Sequence, residues 1–325
     1  MSEILEGPHA IAEGVARLEN TRLVAFPTET VYGLGANALD QTAVDAVFEL
    51  KNRPPTNPLI VHVSSIEMAK SITTDWNAQA QLLANAFWPG PLTLVLPKAD
   101  CIPANVCAHS DTVAIRCPSH PVALALIEAF THPIVGPSAN PSGRISPTTP
   151  EHVADGFPSD DLLIIDGGHC RAGIESTVID LTSNQPTILR PGIIGHHAIA
   201  EVLDCQINTA PAQDSTSPAA SPGCIGPHYQ PRTPTKLVDS NTLTKADSSI
   251  ILIAWSITDH PAAGQLITIP NQLDQYATNL YRTLHEADTF AAVTIWIESP
   301  PTASTPDDQA IHEALTERLS RATHL

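Results

Sequence analysis

Lys51 and Arg53 stand two residues apart in the stretch KNRPPTNPLIVHV, directly after Ala43, Val44, Val47, Phe48 and Leu50, which fall at helical spacing. The prolines at 54 and 55 keep Arg53 out of the α region, so both side chains are expected as exposed cations at a helix end, able to converge on one polyanion. Arg53 adds a planar fork suited to phosphate or carboxylate. Solvated capping of the helix end by the two cations is the plain alternative. A second polar group lies upstream, where Thr28, Glu29 and Thr30 end an apolar run at 23–26 whose ladder Pro27 cannot continue. Gly33 and Gly35 follow. Glycines after a strand allow a sharp bend or a close approach, often to a phosphate, but this GxG lacks the third glycine of a dinucleotide fingerprint and the lysine of a P-loop.

Further chemistry-bearing residues sit at the ends of apolar runs. His62 lies between valines in a strand expected at 59–63, where a lone histidine is by default a satisfied core side chain. Arg116 closes a strand at 112–116, at the strand end where open α/β sheets bind ligands. A buried arginine there needs an anion, either a core carboxylate or one carried by a ligand. Ser138 and Asn140 follow a short strand at 133–136 and continue through Ser142, Gly143, Arg144 and Ser146 as a polar loop. Such a loop suits phosphate oxygens, with an ordinary Asx or Ser turn as the alternative. Arg190 ends the apolar run 187–189 and precedes Pro-Gly.

The elements that must position these residues alternate along the chain. Helices are expected at 8–18, 66–86, 121–130 and 193–203, with Thr149 capping another that has Pro150 at its first position. Strands are expected at 92–96, after the rigid turn Phe87-Trp88-Pro89-Gly90-Pro91, and at 162–165 and 176–181. Residues 205–235 change character, with prolines at 211, 218, 222, 227, 231 and 234, and read as a linker. From Lys236 strand and helix patterns alternate again: 250–255, 266–269, a helix carrying Leu273, Tyr276, Leu280 and Leu284, 292–297, and a last helix to about 319. That alternation implies a small parallel-sheet domain.

The chain of 325 residues, 42% of them apolar, suits two globular domains. Sixteen Lys and Arg against 34 Asp and Glu give a net charge of −18, and no basic run occurs. Direct high-affinity binding to a nucleic-acid backbone is disfavoured, whereas small anions need only a few local cations. The six cysteines form no CxxC pair and read as reduced thiols; the fourteen histidines lack metal-ligand spacing, so no structural metal is expected. The N-terminus has no basic leader and the longest apolar run, 250–255, is too short to span a bilayer, so the expectation is a soluble, cytoplasmic protein.

Six motifs in order, PTETVYGLGANA, KNRPPTNPLIVHV, WPGPLTLVL, VAIRCPSHP, GPSAN and GGHCRAGIESTVIDL, closely resemble the YrdC-like family in its two-domain form, over about residues 8 to 200. The resemblance implies an α/β fold: a YrdC-like open twisted mixed sheet with helices over residues 1–205 and a smaller C-terminal Rossmann-like α/β domain over 236–325. Between them, residues 206–235 would be a Pro-rich linker in which SPGCIGPHYQP resembles the family's active-site lid, with Ile225, Gly226 and Pro227 replacing its basic residues and first tyrosine. It also implies an L-threonylcarbamoyladenylate synthase, a nucleotidyltransferase joining L-threonine, bicarbonate and ATP with Mg²⁺ and releasing pyrophosphate. The product would pass to a tRNA-modifying transferase complex. By the same resemblance Lys51 and Arg53 are catalytic; Thr28, His62, Arg116 and Ser176 hold threonine; and Lys51, Arg53, Thr112, Ser138, Asn140, Ser146, Arg190 and Tyr229 hold ATP. Two rival readings stand beside this one. A non-catalytic RNA-binding module or translation factor would need a basic groove with interleaved aromatics. A carbamoyl-transferring relative would carry zinc and acylphosphatase modules.

Overall fold

The structure, a computed structural model, describes residues 2–159, 161–210, 228–290 and 292–323. A strand not expected from the sequence, β1 (Glu3–Glu6), runs into α1 (Gly7–Glu19), where Pro8 fits the first turn because no intrahelical N–H is needed there. β2 (Val24–Phe26) and β3 (Gly33–Asn37) pair antiparallel, Val24 opposite Gly35 and Phe26 opposite Gly33. Of the two readings of these glycines, a bend or a close approach, the bend is overturned, since both are strand residues. A Cβ at either would meet the Phe26 ring at 3.0 or 3.1 Å, so the glycines make room for that ring.

α2 (Gln41–Lys51) is capped by Asp40, whose carboxylate accepts from Thr42 N, and is ended by Asn52 in the left-handed region (φ 49°, ψ 47°). β4 (Ile60–His62) follows. The single helix expected over 66–86 is two, α3 (Ile66–Ser71) and α4 (Ala78–Phe87), each with its own cap, Ser65 and Asn77. β5 (Leu92–Pro97), β6 (Thr112–Arg116), α5 (Pro121–Phe130), β7 (Ile134–Val135), α6 (Pro150–Gly156), β8 (Leu163–Asp166), β9 (Thr177–Asp180), β10 (Thr187–Arg190), α7 (His196–Leu203) and β11 (Asn208–Thr209) complete the first unit.

Eleven strands form one mixed sheet in the order β1-β8-β2-β3-β7-β4-β6-β5-β9-β10-β11. Alternate residues supply its two faces: Val24 and Phe26 pack with Leu126, Ile127 and Ile165, while Ala25, Leu34, Val61 and Ile115 pack with Val44 and Val47 of α2. Cys107, Cys117 and Cys170 are buried free thiols. Two registers set the polar residues of the sheet side by side. β4 and β6 run parallel with His62 opposite Arg116, and β7 runs antiparallel to β4 with His62 opposite Ile134. His62 and Arg116 therefore lie side by side, while Gly136 N donates to Ile60 O at 2.9 Å, so the loop after β7 begins beside the start of β4.

β11 carries this sheet to Thr209, past the boundary expected at 205. The second unit begins at β12 (Thr235–Val238) and continues through α8 (Ser240–Leu243), β13 (Ile250–Ala254), β14 (Gln265–Thr268), α9 (Leu273–Asp288), β15 (Thr294–Glu298) and α10 (Pro306–Ala322). Its four strands, ordered β12-β15-β13-β14, are all parallel. The unbroken apolar β13, IILIA, is the pattern of a parallel strand covered on both faces. α9 presents Tyr276, Ala277, Leu280, Tyr281 and Leu284 from one face, and they share a single core cluster with Val31, Ile145 and Ile174 of the first unit. Among the described residues no helix is long and apolar enough to cross a membrane.

Candidate active site

At the shared strand ends Arg116 is 3% exposed and His62 2%. Arg116 Nη1 donates to Thr30 Oγ1 at 2.8 Å and its Nε to Gly90 O at 3.3 Å. Its Nη2 lies 2.7 Å from Glu29 Oε2, an ion pair whose angles do not make a hydrogen bond, and Nη2 has no acceptor among the described residues. The anion facing Arg116 in the structure is thus a core carboxylate, and any ligand would meet a guanidinium already balanced by Glu29. Thr28 Oγ1 donates to Val31 O at 2.6 Å and lies 2.8 Å from Thr30 Oγ1, which fixes both threonines at the end of β2. His62 packs edge-on against Phe26, with ring centroids 5.7 Å apart. Burial, then the nearby Arg116 charge, pulls its pKa down to about 3, so the ring is neutral at pH 7. Its Nδ1 has no partner among the described residues.

Lys51 and Arg53 are not exposed, as a helix end would suggest; they are 1% and 9% exposed. Lys51 continues the buried stripe of α2 after Val44 and Val47 and so points inward, and its Nζ donates to the carbonyls of Ser138 and Asn140. Ser142 N returns a bond to Lys51 O at 2.8 Å, so this lysine shapes the loop after β7. Arg53 reaches the carbonyls of Asn57 (3.1 Å) and Pro58 (2.9 Å). Burial and next the Arg53 charge hold Lys51 well below the usual lysine range, and burial brings Arg53 down to about 10. Asn140 Nδ2 donates to Pro141 O and Arg144 O, leaving Oδ1 buried and without a partner among the described residues.

On the far side β9 and β10 bring Ser176 and Arg190 together. Arg190 donates from Nε and Nη2 to Ser176 O (3.1 and 2.9 Å) and from Nη2 to Ser176 Oγ (3.1 Å), while Thr93 Oγ1 lies 2.8 Å from the same hydroxyl. Tyr229, with φ 65°, is stacked on Tyr281 at 5.4 Å between ring centroids. Gln230 N donates to Gly143 O, fastening this segment to the polar loop. Residues 221–227 of the expected lid lie outside the described residues; His228 and Tyr229 are within them.

These groups line one cleft of about 680 Å³, counting its open mouth. It gathers Thr28, Lys51, Arg53, His62, Arg116, Ser138, Asn140, Ser176, Arg190 and Tyr229. Two expected residues are not part of it. Ser146 is buried behind the wall and donates to Glu175 Oε1 at 2.7 Å. Thr112 stands at the opposite end of the strand from Arg116, its hydroxyl 2.9 Å from Ser110 Oγ. The sequence reading missed Glu175 in the wall, and gave Thr30 and His228, also in the wall, no role beyond the strand-end group and the lid segment. Glu175 carried a signal, an acid within the otherwise apolar and hydroxylic run GIESTVI. Among the described residues no three His, Cys, Asp or Glu side chains cluster in a way that could hold a metal. The cleft therefore offers Lys51 and Arg53 beside a loop of small polar groups, Arg190 beside the Ser176 hydroxyl, and the Arg116 guanidinium with a neutral imidazole and threonine hydroxyls.

A family model for Sua5, YciO and YrdC, described as Telomere recombination, matches residues 16–192, and one described as threonylcarbamoyl-AMP synthase, C-terminal domain, matches residues 194–323. The chain is 50% identical over 222 residues to threonylcarbamoyl-AMP synthase of Pyrococcus abyssi, covering 68% of this chain and 65% of the relative. It is 44% identical to that of Bacillus subtilis, covering 71% and 67%. These matches span about two thirds of the length of the curated relatives. A crystal structure of P. abyssi Sua5 complexed with L-threonine superposes with a TM-score of 0.90 at 35% identity, covering 100% of this chain and 99% of the other. A variant of that protein, with a histidine and the next tyrosine changed to alanine, superposes at 0.88 with 34% identity, covering 100% and 98%.

Proposed function

The chain belongs to the Sua5/YciO/YrdC family in its two-domain form, and on that premise we propose that it is an L-threonylcarbamoyladenylate synthase. The observation that carries the reading is the convergence of Lys51, Arg53 and Arg190 with Thr28, His62, Arg116 and Ser176 in one cleft, where His62 Nδ1 and Asn140 Oδ1 are buried polar atoms lacking partners among the described residues. Unpaired buried polar atoms are costly, and a bound ligand satisfies them. The relative of known structure was complexed with L-threonine, and its overall fold is this one.

In the proposed reaction the threonine amine takes up bicarbonate as a carbamate with loss of water. A carbamate oxygen then attacks the α-phosphorus of ATP, the bond from that phosphorus to the bridging oxygen breaks, and pyrophosphate leaves. No side chain becomes covalent, so the protein's part is positioning and charge neutralisation. Lys51, Arg53 and Arg190 would face the phosphates, with Ser138, Asn140 and Tyr229 beside them. Arg116, steered by Glu29 and Thr30, would aim Nη2 at the threonine carboxylate, while Thr28, neutral His62 and Ser176 would fix its amine and hydroxyl. Mg²⁺ would accompany ATP. With no acidic cage among the described residues, phosphate oxygens and water would supply most of its shell. The adenylate would be handed to a tRNA-modifying transferase complex, and a chain of net charge −18 is better suited to passing on a small product than to gripping tRNA itself.

The test is purified protein with ATP, Mg²⁺, L-threonine and isotopically labelled bicarbonate, without tRNA. Label should enter an adenylate and pyrophosphate should appear, both only with threonine present. Threonine-dependent pyrophosphate without label in the adenylate would mean that threonine's own carboxylate is activated, and the reading would be wrong.

A further inference from the structure

Arg318 lies on α10, in the C-terminal unit, yet it is 0% exposed and its guanidinium ends against the wall of the cleft. Its Nη1 donates to Pro191 O at 2.6 Å and its Nη2 to Glu175 O at 3.4 Å. Pro191 directly follows Arg190, and Glu175 directly precedes Ser176. One side chain therefore clasps the two backbone segments that present those residues to the cleft. Nε adds an ion pair to Glu175 Oε2 at 3.3 Å. Tyr281, on α9, donates to the same oxygen at 2.9 Å while its ring supports Tyr229. The approach is tight: a Cβ on Gly173, which sits at φ 73°, would lie 2.4 Å from Ala277 O of α9.

We infer that Arg318 and Tyr281 are positioning residues for the reaction proposed above, setting Ser176, Arg190 and Tyr229 through Glu175 and the Pro191 carbonyl. A domain interface alone does not require this arrangement. The two units already share an apolar cluster, and a buried ion pair is often replaceable by packed hydrophobic residues without loss of stability. Here the charged group falls where the interface touches the cleft. Burial alone would raise the Glu175 pKa; Arg318 and then Arg190 outweigh it and keep the carboxylate ionised. Without Arg318 that carboxylate would be left with Arg190 as its nearest cation, drawing the guanidinium away from Ser176.

The inference rests on the synthase reading, and its test uses the full chain with two readouts. Arg318→Lys keeps the charge and loses the fork; Tyr281→Phe removes one hydroxyl and keeps the stack. Both should fold, as judged by circular dichroism, with threonine-dependent pyrophosphate release falling about 10-fold or more in kcat for Arg318→Lys and about 3-fold for Tyr281→Phe. The rise in unfolding temperature caused by threonine should shrink in both, because Ser176 is displaced. Pairing Arg318→Met with Glu175→Gln should restore stability relative to Arg318→Met alone without restoring kcat. Folded Arg318→Lys and Tyr281→Phe with unchanged kcat, KM and threonine response would overturn the inference, as would full turnover in the paired variant. If the unsubstituted protein formed no adenylate the synthase reading would fall, and the threonine-induced thermal shift would still decide whether α9 and α10 set the cleft.

Discussion

Two buried cationic centres face the same cleft and are balanced differently. Lys51 and Arg53 hydrogen-bond to backbone carbonyls, and among the described residues neither has a carboxylate within ion-pair distance. Arg116 has one, Glu29, and Arg318, behind the cleft wall, has two, Glu175 and Glu317. Carbonyl dipoles can orient a cation but do not cancel its charge, and a buried net charge is expensive. The contrast separates a surplus that an incoming anion would neutralise from cations whose charge is already met and whose N–H groups direct their neighbours.

The largest effect should come from removing part of the surplus. Lys51→Ala is expected to reduce ATP-dependent pyrophosphate release by at least about 100-fold, in line with losing a charge aimed at the reacting phosphates. An exposed lysine would leave thermal unfolding unchanged, but Nζ holds the Ser138 and Asn140 carbonyls, so the variant should also lose about 1–3 kcal/mol of stability by urea denaturation. Turnover near that of the unsubstituted protein would erase the contrast between the two centres.

Glu29→Gln probes the balanced side. It converts Arg116 into a cation without a carboxylate, and breaking a buried pair in this way costs about 3–5 kcal/mol. A second consequence sharpens the comparison: threonine, bringing its own carboxylate, should raise the unfolding temperature of Glu29→Gln more than it does for the unsubstituted chain. An equal or smaller rise would show that the threonine carboxylate is held elsewhere.

A smaller effect concerns pH. His62 has a folded pKa of about 3 against about 6.5 for the unperturbed group, so below pH 6.5 the unfolded chain takes up a proton that the folded chain refuses. Stability is therefore lost as pH falls from 6.5 towards 3, by roughly 2 kcal/mol from this residue at pH 5. His152, also pulled down to about 3 by burial and then by the charge His285 would carry, its ring stacked 3.9 Å from that of His285, acts in the same direction. Urea midpoints for the unsubstituted protein and His62→Asn at pH 7.5 and 5 would check this; parallel losses in the two would remove His62 from the account.

Much of the cleft was legible because its residues end apolar runs. Arg116 and Arg190 end short strands and Ser138 and Asn140 follow one, and strand ends are where open α/β sheets bind ligands. What stayed hidden depended on long-range packing. Gly33 and Gly35 read as a bend or a close approach, often to a phosphate, because nothing in GxG says that the Phe26 ring lies across them. Lys51 read as exposed because a lysine at a helix end is usually solvated, although it stands on the buried stripe of α2 with Val44 and Val47. β1, EILE, alternates too weakly to stand out, and is a strand because β8 pairs with it. Arg318 left a trace that could have been followed: it shares the buried stripe of α10 with Ala314, Leu315, Leu319 and Ala322, and a charge on an apolar stripe needs a partner.

The smallest effect is expected at Thr112, which the family resemblance assigned to ATP. Arg116 reaches the cleft from the end of β6; Thr112 opens the same strand, four residues and about 13 Å away at the usual rise of an extended chain. There it pairs with Pro97 and its hydroxyl is within hydrogen-bond distance of Ser110 Oγ. Thr112→Val keeps the branched shape and removes only that hydroxyl, so the KM for ATP should stay within about twofold and stability within about 0.5 kcal/mol. The outcome bears on the whole site. If the KM rose about tenfold while folding was unaffected, the nucleotide would have to extend from the cations around the sheet to the start of β6. The cleft walled by Lys51, Arg53 and Arg190 would then hold only its phosphate end, and the contrast between unbalanced and balanced cations would describe part of the nucleotide site instead of all of it.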